Sequence, residues 1–211
     1  MRGRLIVLEG ADGTGTTTQA RTLADHLTSQ GRTVHVTAEP SRGPVGVLIR
    51  ELLGGDRPRE HIHRELALLF AADRLDHVAR EIEPELARGV DVVTDRYLLS
   101  SLVYQGLDSP LDWVATLNRH APPADVTLLL TLPVELAMAR VAGRAGHREV
   151  FETREVQQRV HRRYLELAPR VDAVVVDGQG EIAEVAARLI AALTAALTAA
   201  LDVPLERAHG G

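Results

Sequence analysis

The stretch "RLIVLEGADGTGTTTQ", residues 4–19, constrains the fold more than any other part of the chain. The apolar run "LIVLE" reads as a buried strand that stops at a glycine-rich loop. Past the loop, Ala20, Leu23 and Leu27 recur at helical spacing from Thr17 to about Ser29, and Gly31 closes the helix. A strand that turns through glycines into a helix aims successive backbone N–H groups, and the positive end of the helix, at one point. That point suits a phosphate. Gly10, Gly15 and Thr17 fit the spacing G-x-x-x-x-G-K-[ST], so Gly10, Ala11, Asp12, Gly13, Thr14, Gly15, Thr16 and Thr17 form the expected cradle. Thr17 is placed to give its hydroxyl to magnesium. The lysine of the pattern is absent, and Thr16 stands in its place.

Composition sharpens that departure. All 24 basic side chains are arginine, and the chain holds no lysine. A drift that only exchanged lysine for arginine would have kept a charge at position 16. The net charge of -5 argues against a general nucleic-acid binder. Without cysteine there is no disulfide or thiolate metal site, and the nine histidines, "HIH" at 61–63 included, show no zinc-ligand spacing. No signal peptide or membrane-spanning stretch stands out, so a cytoplasmic protein is expected.

The remaining chain alternates strand and helix. "TVHVTAEP", "VDVVTD", "PADVTLLLTL" and "AVVVDG" read as four further strands, separated by helical segments. Pro84 marks a break or restart in the long helical stretch from Arg59 to Gly89. Continuous apolar strands with intervening helices predict an α/β three-layer sandwich. Its five-stranded sheet is mainly parallel, with helices on both faces. One domain over residues 1–211 is expected, with a lid at about 141–152 and a low-complexity helical tail at about 190–211. The run "RVHRR" at 159–163 reads as a solvated helix face.

Two more motifs carry chemistry. Asp95 ends a buried strand and can reach the same magnesium, and Arg96 beside it can hold a phosphate as a planar fork. The alternative is an Asp–Arg pair that caps a helix. Phe70 and Arg74 share a helix face, where they could stack on a planar base and donate to its carbonyl. The alternative is a core phenylalanine beside a surface ion-pair partner.

Taken in order, "VLEGADGTG", "TAEP", "LIRELL", "FAADRLDH", "TDRYLLSSLVYQG", "WVATLN", "PADVTLLLTLP" and "YLELA" resemble the thymidylate kinases. These are P-loop enzymes that transfer phosphate from ATP to dTMP. The resemblance covers about residues 5 to 180, and the "DRYxxSSxxYQG" string with "FAADR" upstream is specific to that family. It implies a magnesium-dependent dTMP kinase working as a homodimer in dTTP synthesis, without nucleic-acid or membrane partners. It further implies that Asp12 meets the sugar 3′-hydroxyl, that Glu39 and Asp95 hold magnesium and its waters with Thr17, and that Arg50 and Arg96 clamp the acceptor phosphate. Phe70 would stack on thymine, Arg74 would donate to its carbonyl, and Ser101 and Gln105 would meet the other base edge. Tyr104 would sit against the sugar, and "DGQGE" at 177–181 would border adenine.

The chain departs from the family pattern at Thr16, at Gly13 (an arginine in one branch), at Ala38 in "TAEP" and at Val150, the arginine position of the lid. Thr131 also replaces a strand-end acid. The four main changes all leave less positive charge near the phosphates. Compensation must come from Arg144, Arg148, Arg140, Arg42 or a partner chain, with Arg148 and then Arg144 expected to act in catalysis. A kinase of another or modified monophosphate, or a nucleotide-binding protein with little catalysis, are the alternatives.

Overall fold

The structure is a computed structural model that describes residues 2–55, 62–143 and 153–201. The chain runs β1 (Leu5–Glu9), α1 (Thr16–Ser29), β2 (Val34–Ala38), α2 (Pro44–Gly54), α3 (His63–His77) and α4 (Glu83–Ala87). It continues through β3 (Asp91–Asp95), α5 (Leu98–Tyr104), α6 (Leu111–Leu117), β4 (Val126–Thr131), α7 (Val134–Ala142) and α8 (Arg154–Leu167). β5 (Val174–Asp177) and α9 (Ile182–Leu201) follow. The strands lie in the order β2-β3-β1-β4-β5, and all four pairings are parallel. The expected α/β sandwich with a five-stranded sheet is therefore what the chain forms.

Each central strand is buried on both faces, so its odd and even residues serve different layers. Ile6 and Leu8 of β1 join Val93, Leu128 and Val176 beneath Leu23 and Leu27 of α1 and Val185, Leu189 and Leu193 of α9. Leu5 and Val7 pack with Val92 against Val78, Ile82 and Leu86. On the same side, Leu129 meets Leu99, Leu102, Val114, Val160 and Tyr164.

Pro84 lies in the first turn of α4 and restarts the helix after a π-helical turn over Val78–Ile82. Two expectations need correction. The "RVHRR" run is not simply a solvated face, because Val160 is fully buried and Arg163 is half-buried, with its Nε shut off from water. In α9, Ile182–Ala199 has the length and mean hydropathy, 1.6, of a membrane span. Its Ala- and Leu-rich repeat accounts for both, and its Val185–Leu193 stripe packs on α1 and β4.

Because every strand is parallel, the carboxyl ends of β1, β3 and β4 share one edge of the sheet. Loops that leave there converge, and ligands of open parallel sheets bind outside that edge.

Candidate active site

Gly10 follows β1 at that edge, and the loop 10–15 turns directly into α1. A Cβ on Gly10 would fall 2.6 Å from Thr14 Oγ1 and 2.7 Å from the Leu130 carbonyl, so the loop closes tightly only with glycine there. Gly13 has φ +86°, and a Cβ on it would meet the Ala137 carbonyl oxygen of α7 at 2.3 Å. A side chain at this position has no room here. Gly15 caps α1 in the left-handed region, leaving the first N–H groups of the helix facing the loop. Thr16 is buried and Thr17 is exposed.

Two successive residues at the end of β3 grip this loop. Thr17 Oγ1 donates to Asp95 Oδ2 at 2.5 Å. The other Asp95 oxygen is buried and has no hydrogen-bond partner among the described residues. A hydroxyl beside a carboxylate with an unused oxygen is the donor set a hard divalent cation takes, completed by phosphate oxygens and water. Thr17 and Asp95 therefore fit magnesium. Glu39 fits less well. Its Oε2 accepts from Arg74 Nε at 2.9 Å and Nη2 at 2.6 Å, and its Oε1 faces His77 Nδ1 at 3.3 Å. Among the described residues no cluster of three or more His, Cys, Asp or Glu side chains could hold a metal by itself.

Arg96 has φ 74°, an unusual backbone for a side-chain-bearing residue that turns its guanidinium back over the loop. It ion-pairs with Asp12 through Nη2. Its Nη1 donates to Ser100 Oγ at 3.2 Å and to Tyr164 Oη at 3.1 Å, and its carbon lies 5.3 Å from the Tyr104 ring centroid. Burial disfavours the charge, but Tyr104, Tyr164, Asp12 and Asp95 outweigh it and hold the guanidinium well above its ordinary pKa. Arg96 is thus permanently charged and oriented on four sides.

Beneath it lies Glu9, fully buried at the end of β1. Its carboxylate accepts from the Tyr97 and Ser100 amides at 3.0 and 3.1 Å and from Ser100 Oγ at 2.6 Å. Burial pushes its pKa up, and the Ser100 and Tyr97 bonds and the Arg96 charge pull it partly back. Burial likewise raises the Tyr164 phenol well above its usual range. Glu9, Ser100 and Tyr164 were not singled out in the sequence. The one available signal was a carboxylate that closes an otherwise apolar strand, at "LIVLE".

The expected base-reading residues lie on α3, on α5 and just past the end of α5. Ser101 and Gln105 are buried and Phe70 and Tyr104 are partly exposed. The Gln105 Oε1 is buried without a hydrogen-bond partner among the described residues, as an acceptor for a ligand N–H would be. Arg74 is only 1% exposed, so it is not the surface ion-pair partner of the second alternative. Its guanidinium holds Glu39, Asn118, the Tyr97 carbonyl at 2.8 Å and Ser101 Oγ at 3.0 Å. Arg50 donates to carbonyls of its own neighbourhood, Ser41 at 2.5 Å, Gly46 at 3.2 Å and Pro40, behind the cis Glu39–Pro40 bond.

On the other side of the loop, Gly13, Gly15, Gln19, Arg140, Gly178 and Glu181 line a cleft of about 350 Å³. The "DGQGE" segment thus borders the same space as the phosphate loop. Arg144 and Arg148 lie outside the described residues.

A glycine loop between β1 and α1, with an Asp–Arg pair on the neighbouring strand, defines a P-loop nucleotide-binding protein. Residues 8–189 match the family model described as thymidylate kinase. A protein named thymidylate kinase from Dinoroseobacter shibae is 43% identical over 198 residues, 89% of this chain and 95% of the relative. One named probable thymidylate kinase from Pyrococcus abyssi is 42% identical over 193 residues, covering 88% and 93%. Another so named, from Thermococcus onnurineus, is 45% identical over 177 residues, covering 78% and 84%. The chain belongs to the thymidylate kinase family.

Proposed function

We propose that this chain transfers the γ-phosphate of ATP to dTMP, giving ADP and dTDP. The observation that carries this reading is the grip of Asp95 and Arg96 on Thr17 and Asp12, which sets a cation site and a phosphate fork side by side on one loop. Phosphoryl transfer asks little covalent work of a protein. It asks for two substrates in line and for compensation of charge on the transferring group.

The backbone of residues 10–17 would cradle the donor phosphates. Magnesium held by Thr17 and Asp95, with Glu39 acting at one remove, would offset charge on the bridging oxygens. Arg96 would hold the acceptor phosphate, exchanging Asp12 for it, while Asp12 turns to the sugar hydroxyl. A phosphate oxygen of dTMP then attacks the γ-phosphorus as the bond to the β–γ bridging oxygen breaks, and ADP leaves. Phe70 and Tyr104 flank the acceptor base and sugar, and the unused Gln105 Oε1 would accept the base N–H. Arg74 acts from beneath, by fixing Ser101 and Tyr97, and Arg50 acts by holding the loop after Pro40. We place the enzyme in the cytoplasm as a homodimer. The exposed Val47, Leu48, Leu68 and Leu75 of α2 and α3 support an apolar contact between copies.

A coupled assay with ATP, magnesium and a panel of nucleoside monophosphates tests the reading. Turnover should be greatest with dTMP. Measurable dTMP binding without turnover would overturn it.

A further inference from the structure

The loop lacks the cation that its pattern normally carries, and no lysine elsewhere in the chain can replace it. We propose that Arg140 of α7 supplies that charge, holding the polyphosphate of the nucleotide donor from the cleft beside the loop. The inference rests on reading residues 10–17 as the donor site.

Three observations carry it. Arg140 is the one basic side chain among the described residues that line the cleft between the loop and the β5–α9 turn. Its guanidinium spans that cleft, with Nη1 3.5 Å from the Thr14 carbonyl and Nη2 3.5 Å from the Gly178 carbonyl. Nη1 also lies 4.0 Å from where a Cβ on Gly15 would sit, next to the first N–H groups of α1. The charge is therefore beside the anion-binding end of the helix.

The bonds Arg140 makes are weak ones. Contacts at 3.5 Å to neutral carbonyls are at the limit of hydrogen bonding. Arg140 pairs with no acidic side chain among the described residues, and Glu181 is the acid that shares its cleft. Arg96 contrasts with it, having a carboxylate, two hydroxyls and a ring around it. A guanidinium parked on two carbonyls at long range is free to turn onto a phosphate, and its fork suits two phosphate oxygens at once. The base of α7 is meanwhile fixed, because Gly13 packs directly under the Ala137 carbonyl. Position 140 is thus held in register with the loop.

The test compares Arg140→Gln, Arg140→Lys, Thr16→Lys and the double variant Arg140→Gln/Thr16→Lys in the full chain. Each is followed by dTMP phosphorylation and, without dTMP, by equilibrium binding of magnesium–ATP. Arg140 is exposed, so melting temperatures should match the wild type. Removing one preorganised electrostatic partner of a transition state costs about 10²–10³ in rate. Arg140→Gln should therefore lower kcat/KM for ATP by about that factor and weaken ATP binding, while KM for dTMP stays within roughly threefold. Arg140→Lys should recover most of the loss, and Thr16→Lys should raise kcat/KM at least about tenfold in the Arg140→Gln background. The proposal is overturned if Arg140→Gln changes neither ATP binding nor turnover by more than roughly threefold, or if neither lysine variant recovers activity. If the wild type binds ATP but turns over no monophosphate, the kinase reading fails. The ATP-binding comparison then still decides the role of Arg140.

Discussion

Removing the Arg74 guanidinium should unfold the protein more readily before it says anything about substrate. In Arg74→Met the side-chain length is kept and the charge is lost. Glu39 is then left 5% exposed, with His77 at 3.3 Å as its remaining partner. Asn118, Ser101 and the Tyr97 carbonyl lose their donor at the same time. Breaking a buried pair by removing one member costs about 3–5 kcal/mol, because the other charge stays desolvated. For a chain of 211 residues each kcal/mol lowers the melting temperature by about 2–4 °C, so a fall of about 6–20 °C is expected. Removing both charges, in Arg74→Met/Glu39→Met, should be milder than the sum of the single changes, with a coupling of about 2–3 kcal/mol. Urea unfolding followed by circular dichroism, with thermal scans alongside, measures all three variants. An Arg74→Met cost under about 1 kcal/mol, or strict additivity, would refute the claim that this pair is scaffold. A residue that acted only on a bound base would change KM for dTMP and leave the melting temperature alone.

Asp91 offers a pH-dependent counterpart. It accepts from Arg32 Nε at 2.8 Å and Nη2 at 2.7 Å and from the Arg4 amide at 2.9 Å. Burial alone would raise its pKa, but the Arg32 bonds and charge and the Arg4 amide lower it overall from 3.8. A depressed carboxylate contributes stability above its unfolded pKa and loses it as pH falls through the folded one. Asp91→Asn should cost about 2 kcal/mol at neutral pH, and the gap to the wild type should close as pH drops below about 3.8. A gap that persists unchanged at low pH contradicts the assignment. Gly13→Ala forces a Cβ into a left-handed φ and into the Ala137 carbonyl, so it should cost at least about 1–2 kcal/mol and raise KM for ATP. A neutral effect on both would show that the loop is not held against α7 as described.

What could be read from the sequence, and what could not, follows from how local each signal is. β1, β3 and β4 were legible because strands buried on both faces read as unbroken apolar runs. The loop was legible because its backbone geometry dictates its glycines. The burial of Arg74 was not legible, since its partners Glu39, Tyr97, Ser101 and Asn118 lie on segments up to 44 residues away and no periodicity links them. Glu9, Ser100 and Tyr164 escaped for the same reason: each is ordinary locally, and the network that orients Arg96 exists only after β1, α5 and α8 meet. Arg163 looked solvated within "RVHRR" because charge was counted along the run rather than around the helix. Arg140 stood as one of four compensating arginines, and its place beside Thr14 depends on how α7 leans on Gly13.

The Thr17–Asp95 and Asp12–Arg96 contacts have a consequence for tolerance. Asp95, proposed to hold the donor-side cation, and Arg96, proposed to hold the acceptor phosphate, are chain neighbours. Their Cα atoms are therefore separated by one trans peptide, about 3.8 Å. In-line transfer wants its reacting atoms about 3–3.5 Å apart, and an error near 1 Å is expensive. Most binding sites hold such a distance by packing, which breathes with temperature and can drift with mutation. Here the two anchoring Cα atoms are joined by one peptide, so their separation cannot drift, and only the side-chain contacts that aim Asp95 and Arg96 are left to vary.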